Sequence, residues 1–573
     1  SHFLKKYRMI KYFLFCVAFL GFYSNCEAQS LKWTKSIGGI GSESGSGLVL
    51  DSHDNIYITG NFQDTVDFDP NFGTSNLYSN GASDFFLLKL DSVGNFIWAK
   101  SVGGSLNDFS TSIAIDKYEN IYLTGAFSDS VDFNPDTGIV KLLSNGGTDI
   151  FISKWDSNGN LKWAHGLGSN LDDIGISMAI DSLNQIYITG SFKEIVDFDS
   201  DTSNLYLGSI GNGSDVFVSK YNSQGNIIWA KSIGGNSLDE SKSISIDNSS
   251  NVYITGRYSG VVDFNPDTAI FNLSTSNTYA DAFILKLTSL GEFKWAKRLG
   301  GSSYDQGNSI VVDSLGNVYS TGYFWLNVDF DPGPGVALLS SISGYDIYVS
   351  KIDSLGNFIW AKRFGGSGYD NSSKLITDHF GNIFLAGVFE STVDFDPGPG
   401  INNLVSFGDR DIFILKLDSS GNSVYGKSFG GVLRDGIGAL GIDIDGNLIS
   451  LGYFQSTVDF DPNAGIYNLT SIGSNDIFIQ KLSSISLINL IVFQKQNSFL
   501  YPNPGDGLFK LNFPSTLKIH KLEVFNFLGQ TILEQINVDS NSIIDLTDQA
   551  PGVYFVKLKN ETNFLNTFKI IKQ

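Results

Sequence analysis

The chain has 573 residues, of which 42% are hydrophobic, 13% aromatic and 17% charged. An apolar share of this size supports a large core and excludes disorder as the general state of the chain. The net charge of −21 excludes partners that are held by general attraction to a basic surface, such as nucleic acid and anionic membranes. The 62 glycines, with many Asn, Asp, Phe and Tyr residues, favour strands and tight turns over helices.

The first 28 residues have the pattern of a secretory signal peptide. A basic start precedes an apolar stretch at residues 13–23, and a small-residue cleavage site follows. The apolar stretch is too short to span a bilayer, and no later segment is long enough either. We expect translation to begin at Met9. The only two cysteines, Cys16 and Cys26, lie in this segment, so we expect no disulfide or cysteine site in the exported protein.

Residues 29–486 contain one sequence unit that recurs every 65 or 66 residues. Its first marker is an aromatic residue, found at Trp33, Trp98, Trp163, Trp229, Trp295, Trp360 and Tyr425. Its second marker is Val-Asp-Phe followed by Asp or Asn, with its first Asp at Asp67, Asp132, Asp197, Asp263, Asp329, Asp394 and Asp459. Its third marker is a strand segment that ends on Lys and begins at Asp84, Asp149, Asp215, Asp281, Asp346, Asp411 and Asp476. Three markers with one period indicate a repeat architecture.

Each unit contains four predicted strands, which we call A to D. In the second unit they cover residues 112–116, 120–125, 149–155 and 161–164, and Gly, Asn, Asp and Ser occupy the turns between them. Units of four antiparallel strands without helical periodicity are typical of propeller blades, so the fold class is all-β and we predict a seven-bladed β-propeller. The last unit lacks its own strand D. We therefore predict that residues 31–37 complete the last blade and close the ring.

The stretches Trp-Ala-Lys-Ser-Ile-Gly-Gly, Tyr-Ile-Thr-Gly and Lys-Leu-Asp-Ser-x-Gly-Asn resemble the bacterial beta-propeller repeat family of seven-bladed proteins. The resemblance covers about residues 30–486 and implies the fold and an exported setting, but no activity. The Gly-Asn-x-x-Trp corner is also similar to the tryptophan-docking corner of quinoprotein propellers. We carry over no quinone and assign no cofactor.

After a linker at residues 487–498, the period ends. Residues 499–573 alternate short apolar segments with Gly and Pro turns, which favours a small β-sandwich. The pattern resembles the type A C-terminal sorting domain of the type IX secretion system in Gram-negative bacteria. The matching positions are Tyr501, Pro502, Asn503, Pro504, Gly507, Gly529 and Gly552. The resemblance implies passage across the outer membrane, the secretion machinery as a partner, and release or attachment at the surface. The alternative is an ordinary C-terminal adhesion sandwich.

Carboxylates are the richest source of candidate site residues. The loops from strand D to the next strand A carry Glu43, Asp108, Asp173, Asp239, Asp305, Asp370 and Asp435. We expect ring symmetry to place them around the channel mouth, where they would attract a cation. Calcium takes six to eight oxygens, and the pair Asp329 and Asp331 could supply part of that set. The favoured alternative is that these residues accept backbone N–H groups in turns, so we assign no metal.

Two other sets of side chains have a clear position in the repeat. Each strand C contains a lysine as its next-to-last residue, for which we expect a structural role in an ion pair with an Asp of its own or the adjoining blade. Trp325 breaks the repeat, because its counterparts are polar, and we expect it in an exposed loop beside Tyr323. A surface aromatic there suits binding of a sugar or a protein, and sealing of a gap in its own blade is the alternative.

The sequence thus predicts an exported propeller with a sorting domain and a non-catalytic role in binding glycan, protein or matrix at or near the cell surface. We assign no catalytic residue. A hydrolase or lyase that uses carboxylates of the acidic face, the face that carries these loop carboxylates, is one alternative. A structural surface-layer component is another.

Overall fold

The computed structural model describes residues 29–200, 204–483, 499–501, 505–512, 519–526, 530–539, 542–559 and 564–572. The chain forms two compact units, Ser1–Ile488 and Asn489–Gln573. The described residues contain strands and turns but no helix, and hence no helix long and apolar enough to cross a membrane. The predicted signal peptide and the linker at 487–498 lie outside the described residues.

The first compact unit, Ser1–Ile488, consists of four-stranded antiparallel sheets, each with an inner, second, third and outer strand. We number the sheets one to seven in the order of their inner strands. The strands, with the inner strand of each sheet first, are Ser44–Leu50, Ile56–Phe62, Asp84–Leu90 and Phe96–Val102; Phe109–Ile115, Ile121–Asp132, Lys141–Trp155 and Leu161–Leu167; Ile174–Ile180, Ile186–Phe192, Asp215–Tyr221 and Ile227–Gly235; Glu240–Ile246, Val252–Tyr258, Asp281–Leu287 and Phe293–Gly301; Gln306–Val312, Val318–Asp329, Leu338–Ile352 and Phe358–Phe364; Asn371–Thr377, Ile383–Phe389, Asp411–Leu417 and Ser423–Phe429; Gly436–Ile442, Leu448–Phe454, Asp476–Leu482 and Leu31–Ile37.

A short hairpin follows the second strand of most sheets. Its strands are Thr65–Asp67 with Asn76–Tyr78, Ile195–Asp197 with Tyr206–Gly208, Val261–Asp263 with Asn272–Ser274, Thr392–Asp394 with Asn403–Val405, and Thr457–Asp459 with Asn468–Thr470. In sheets two and five the hairpin is continuous with the second and third strands, which are therefore longer.

The N-terminal strand closes the ring. Leu31–Ile37 pairs antiparallel with Asp476–Leu482, with Thr34 opposite Gln480. The inner strands contact one another in sequence order, and the inner strand of sheet seven contacts that of sheet one. The closure predicted from the missing last strand is confirmed, and it covers the edge of Asp476–Leu482 that would otherwise be open.

The third strand shows why the sheets stack face to face. Asp281–Leu287 is buried at six of its seven positions, so apolar side chains point from both faces into the neighbouring sheets. Phe283 and Leu285 pack in a cluster with Val216 and Val218 of sheet three, whereas Ile284 packs with Phe324 and Val328 of sheet five. A strand buried on both faces has a near-continuous apolar sequence, which is the pattern of this segment.

Neighbouring sheets are joined by a tryptophan and a lysine that share one carbonyl. Trp229 Nε1 and Lys220 Nζ of sheet three donate to the carbonyl oxygen of Ser289 in sheet four, at 3.2 and 3.1 Å. Gly291 follows in the same turn with φ of +80°, and a Cβ there would lie 3.1 Å from the indole of Trp229. Glycine therefore provides both the left-handed turn and a flat surface for the indole.

The lysine bond recurs more widely around the ring than the indole bond, because Trp163 Nε1 and Trp360 Nε1 have no hydrogen-bond partner among the described residues. Trp98 and Trp295 donate to Ser157 and Ser354 of the following sheets. The lysines that donate to a turn carbonyl of the next sheet are Lys89, Lys154, Lys286, Lys351 and Lys481. Ion pairs with an Asp of the same sheet occur for Lys89, at 3.9 Å, and Lys481, at 2.8 Å. Carbonyl bonds thus recur more widely than the predicted ion pairs.

Tyr425 replaces the tryptophan where the chain ends meet. The next sheet, number seven, takes its third and outer strands from opposite ends of the propeller, so it has no glycine turn between them. Instead, the hydroxyl groups of Ser30 and Ser483 lie 2.8 Å apart at this point. Tyr425 is buried among apolar residues that include Leu482.

The C-terminal unit has a three-stranded and a four-stranded sheet. The strands in pairing order are Phe499–Tyr501, Leu508–Asn512 and Ile543–Asp545; Thr531–Val538, Ile519–Asn526, Gly552–Lys559 and Phe564–Lys572. Phe509 and Ile544 of one sheet share a core with Leu522 and Val556 of the other, as in a sandwich. Of the sorting motif, Tyr501, Gly507 and Gly552 are described, whereas 502–504 and Gly529 lie outside the described residues.

We predict that Trp229→Ala lowers the free energy of unfolding by about 3 kcal/mol, because it removes the indole between two sheets and one bond to Ser289. Denaturant unfolding of the full chain measures the effect. Trp325→Ala is the matched control, since Trp325 is 37% exposed, and it should cost less than about 1 kcal/mol. Equal losses in the two variants would contradict the proposed role of the docking contact.

Candidate functional site

The predicted loop carboxylates are buried. Glu43, Asp108, Asp173, Asp239, Asp305, Asp370 and Asp435 are each at most 1% exposed. Asp305 shows the common pattern, because its two oxygens accept the N–H groups of Gly301, at 2.8 Å, and Trp325, at 3.1 Å. Each of these oxygens thus holds a different segment of the loop. The carboxylates tie together the loops of this face, which we call the loop face, instead of facing solvent.

The first Asp of each third strand forms a second buried set behind the loops. One oxygen has no hydrogen-bond partner in Asp84, Asp149, Asp215, Asp281, Asp346 and Asp411. A glycine at the end of each outer strand, or directly after it, lies against this carboxyl group, as Gly234 does against Asp215, and a Cβ would overlap it. This steric limit explains the repeated Gly at the end of strand D.

Burial raises the pKa of both sets, since an ionised carboxyl loses its hydration there. In the loop set the pKa is raised to about 6 for Asp108, about 7 for Glu43, Asp239, Asp370 and Asp435, and about 8 for Asp305, and it is also raised for Asp173. In the strand set the pKa is raised to about 6 for Asp84, Asp215, Asp281, Asp346 and Asp411 and about 7 for Asp149, and it is also raised for Asp476.

The candidate calcium ligands also have partners in their own loops. Asp329 accepts the N–H groups of Asp331 and Ala337, and Asp331 accepts that of Gly333. Asp51, His53 and Glu119 form another group with oxygen and nitrogen atoms within 4.8 Å of one another. Asp51 there accepts bonds from His53 N, Asn55 and Tyr57, which is turn chemistry. Neither group offers an observation that favours a metal over the turn.

The loop face carries an aromatic cluster at sheets five and six, formed by Tyr323, Trp325, Tyr345 and Tyr369. Trp325 lies in the second strand of sheet five, where the sequence predicted a loop, and its register partner is Tyr345. The ring of Tyr345 is 5.5 Å from Trp325, 4.9 Å from Tyr323 and 5.5 Å from Tyr369, measured between centroids. The cluster therefore unites the two predicted binding residues with two that the sequence analysis missed.

Charged and amide groups border the aromatic cluster. The Arg410 guanidinium lies 4.0 Å from the centroid of the Tyr369 ring and pairs with Glu390 at 2.8 Å. Glu390 also accepts the N–H of Tyr369 at 3.0 Å, and Asn371 donates to the Tyr369 hydroxyl at 3.3 Å. Burial raises the pKa of Tyr323 to about 12, so its hydroxyl stays neutral. These contacts hold the rings while leaving part of Trp325 exposed.

The aromatic cluster breaks the symmetry of the ring. Tyr345 precedes the repeated Asp346, and its counterparts are Ser83, Thr148, Ser214, Ala280, Arg410 and Asn475. A second aromatic pair consists of Tyr279, in a loop of sheet four, and Tyr304, in the loop between sheets four and five. Their ring centroids are 4.7 Å apart. A comparison of the residues that precede the repeated Asp residues would have found Tyr304, Tyr345 and Tyr369, whereas Tyr279 lies two residues before Asp281. At sheets one and two, the same face has a polar depression of about 420 Å³ lined by Asn61, Gln63, Ser83, Asn107 and Phe109.

The raised carboxyl pKa values predict stability that falls as the pH rises from about 4 to about 8. Their folded-state pKa lies above the unfolded value of 3.8, so the folded protein binds more protons in this window and unfolding releases them. The free energy of unfolding, from denaturant titrations, should be larger at pH 5 than at pH 8. Asp305→Asn, which carries a neutral amide, should show a smaller difference. A larger free energy at pH 8 would contradict the assignment.

Three comparisons with known proteins place the chain. Residues 499–573 match the family model of the secretion system C-terminal sorting domain, and residues 97–126 and 294–323 match that of the beta-propeller repeat. An uncharacterized WD repeat-containing protein of Acanthamoeba polyphaga mimivirus is 24% identical over 75% of this chain and 36% of its own length. The regulatory protein FlaEY of Caulobacter vibrioides is 22% identical over 70% of this chain and 42% of its own length.

The chain thus spans about two fifths of the length of these curated relatives. Among solved structures, PorZ, a surface component of the type-IX secretion system of Porphyromonas gingivalis, aligns over 94% of this chain and 100% of its own, with 10% identity and a TM-score of 0.18. The two family models agree with the repeats and the tail described above. The chain carries beta-propeller repeats at residues 97–126 and 294–323 and a secretion system C-terminal sorting domain at residues 499–573, which directs it across the outer membrane to the cell surface or the extracellular space.

Proposed function

We propose that this exported propeller is a non-catalytic binding protein and that the aromatic cluster on its loop face binds a neutral saccharide. The observation that carries the proposal is the concentration of Trp325, Tyr345 and Tyr369 in ring contact at one part of an otherwise repetitive face. Aromatic rings provide apolar faces for the C–H groups of sugars and large buried areas at the centre of binding sites.

The border of the aromatic cluster supplies the polar half of such a site. Asn371, Glu390 and Arg410 present donors and acceptors at its edge, and each is fixed by a contact with Tyr369 or with another border residue. Sugar hydroxyls both donate and accept, so a mixed border suits them. The chain's charge of −21 disfavours polyanionic glycans, which is why we propose a neutral saccharide.

Asp305 supports binding over catalysis at this place. A hydrolase that uses the loop carboxylates would need one that contacts the substrate. Asp305 is 1% exposed, and one of its oxygens accepts the N–H of Trp325. In the proposed site Asp305 therefore acts as a positioning residue that fixes the backbone beneath the indole.

We predict that the full-length exported chain binds neutral oligosaccharides on a glycan array and that Trp325→Ala weakens binding to the same glycans at least tenfold. The loss follows from removal of the exposed stacking surface. Tyr118→Ala is the matched control, because Tyr118 is 70% exposed in a turn at the opposite edge of the sheets, and it should bind as the unaltered chain does.

Thermal unfolding shows whether the Trp325→Ala variant is folded. An array without any bound glycan, or equal binding by the folded Trp325→Ala variant and the unaltered chain, would refute the proposed function. Binding to proteins of the matrix with no saccharide response would point to the protein-binding alternative.

A further inference from the structure

Lys374 is a charged side chain in the centre of the ring. It lies in the inner strand of sheet six, in register with Ala386 of the second strand. The corresponding inner-strand positions of the other sheets hold Gly47, Ser112, Ser177, Ser243, Ser309 and Ala439. One lysine thus stands in a ring of six small residues.

Lys374 lines a cavity between inner strands. The cavity has a volume of about 120 Å³, and its lining includes Ser46, Gly47, Thr111, Ser112, Lys374 and Ala439, which belong to sheets one, two, six and seven. Because these strands lie on different sides of the ring, the cavity is part of the central channel. Its size is similar to that of the roughly 150 Å³ cavity known to accommodate benzene, so a ligand of about six non-hydrogen atoms would fit.

The hydroxyl groups of the channel serines accept backbone N–H groups of the next inner strand, and their own O–H groups can still donate. Ser112 Oγ accepts the N–H of Met178 at 3.2 Å, and Ser177 Oγ accepts that of Ile244 at 3.3 Å. A hydroxyl that accepts a bond still has its own O–H as a donor. In sheets six, seven and one, the equivalent inner-strand positions hold Lys374, Ala439 and Gly47 instead of serine. An ammonium group and open space are therefore found there in place of hydroxyl groups.

The charge of Lys374 has no balancing group. Within the described part of the chain, its ammonium group has no ion pair or hydrogen bond, and no carboxylate lines the cavity. Burial lowers the pKa of Lys374, and no nearby acid offsets this effect. Lys374 keeps some exposure to solvent, but its ammonium is desolvated and unpaired, and an anion beside it would offset the cost of desolvation.

We propose that the central channel binds a small anion with a carboxylate or phosphate group, held by the ammonium group of Lys374 and the hydroxyl of Ser112. The site is distinct from the aromatic cluster on the loop face. Since the chain as a whole carries a charge of −21, general attraction of anions does not account for such binding.

Isothermal titration of the full chain with inorganic phosphate, and separately with acetate, tests the proposal. We expect saturable binding of one anion per chain for at least one probe, and at least tenfold weaker binding in Lys374→Met, which keeps much of the volume without the charge. Ser112→Ala should weaken binding about threefold to tenfold. Lys141→Met removes an exposed lysine on a sheet-two strand and should bind as the unaltered chain does.

Thermal unfolding in phosphate provides a second measurement. Phosphate stabilises folded proteins in general, and this part of the shift should be equal in all variants. The unaltered chain should show an additional shift that Lys374→Met lacks. No binding of either probe to the unaltered chain, or equal binding by the folded Lys374→Met variant, would overturn the proposal.

Discussion

The ring depends on the contact between the indole of one sheet and the glycine turn of the next. Trp229 and Lys220 meet the turn at Ser289 and Gly291, and the contact between indole and glycine recurs from sheet to sheet. A carbonyl that accepts two bonds and a glycine that faces an aromatic ring fix both the distance and the angle between sheets. Because each sheet is buried on both faces, the fold is stable only when every sheet has two neighbours. Closure by Leu31–Ile37 provides the last of these neighbours.

Much of this architecture could be predicted from the sequence, because the docking contact needs the same residue types in every copy. The period, the four strands and the missing last strand followed from Trp, Lys and Gly at fixed spacings. The replacement of Trp by Tyr425 also has a physical reason, since the turn that an indole would contact is absent where the chain ends meet. The ion pairs expected for the lysines were harder to predict, because a carbonyl oxygen and a carboxylate are both suitable acceptors for an ammonium group.

The candidate site was less accessible to sequence reasoning. A ring of Asp residues has the same pattern whether the side chains face water or bind backbone N–H groups, and the structure shows the second arrangement for residues such as Asp305. Trp325 was found because it departs from the repeat. Tyr345, Tyr369 and Lys374 also depart from it, but their strands and loops become neighbours only in the folded ring. Both proposed binding sites lie where the repeated pattern is broken, while the repeated residues build the support.

A disulfide test measures ring closure most directly. Residues 29–573 contain no cysteine, so a chain that carries Thr34→Cys and Gln480→Cys has a single pair available. Those residues are opposite each other in sheet seven, as Ser219 and Ala230 are in sheet three, which supplies the control pair Ser219→Cys and Ala230→Cys. Mass spectrometry of the oxidised chain of residues 29–573 should find an intramolecular link in both double variants. A link in the control pair and none between residues 34 and 480 would contradict the closed ring.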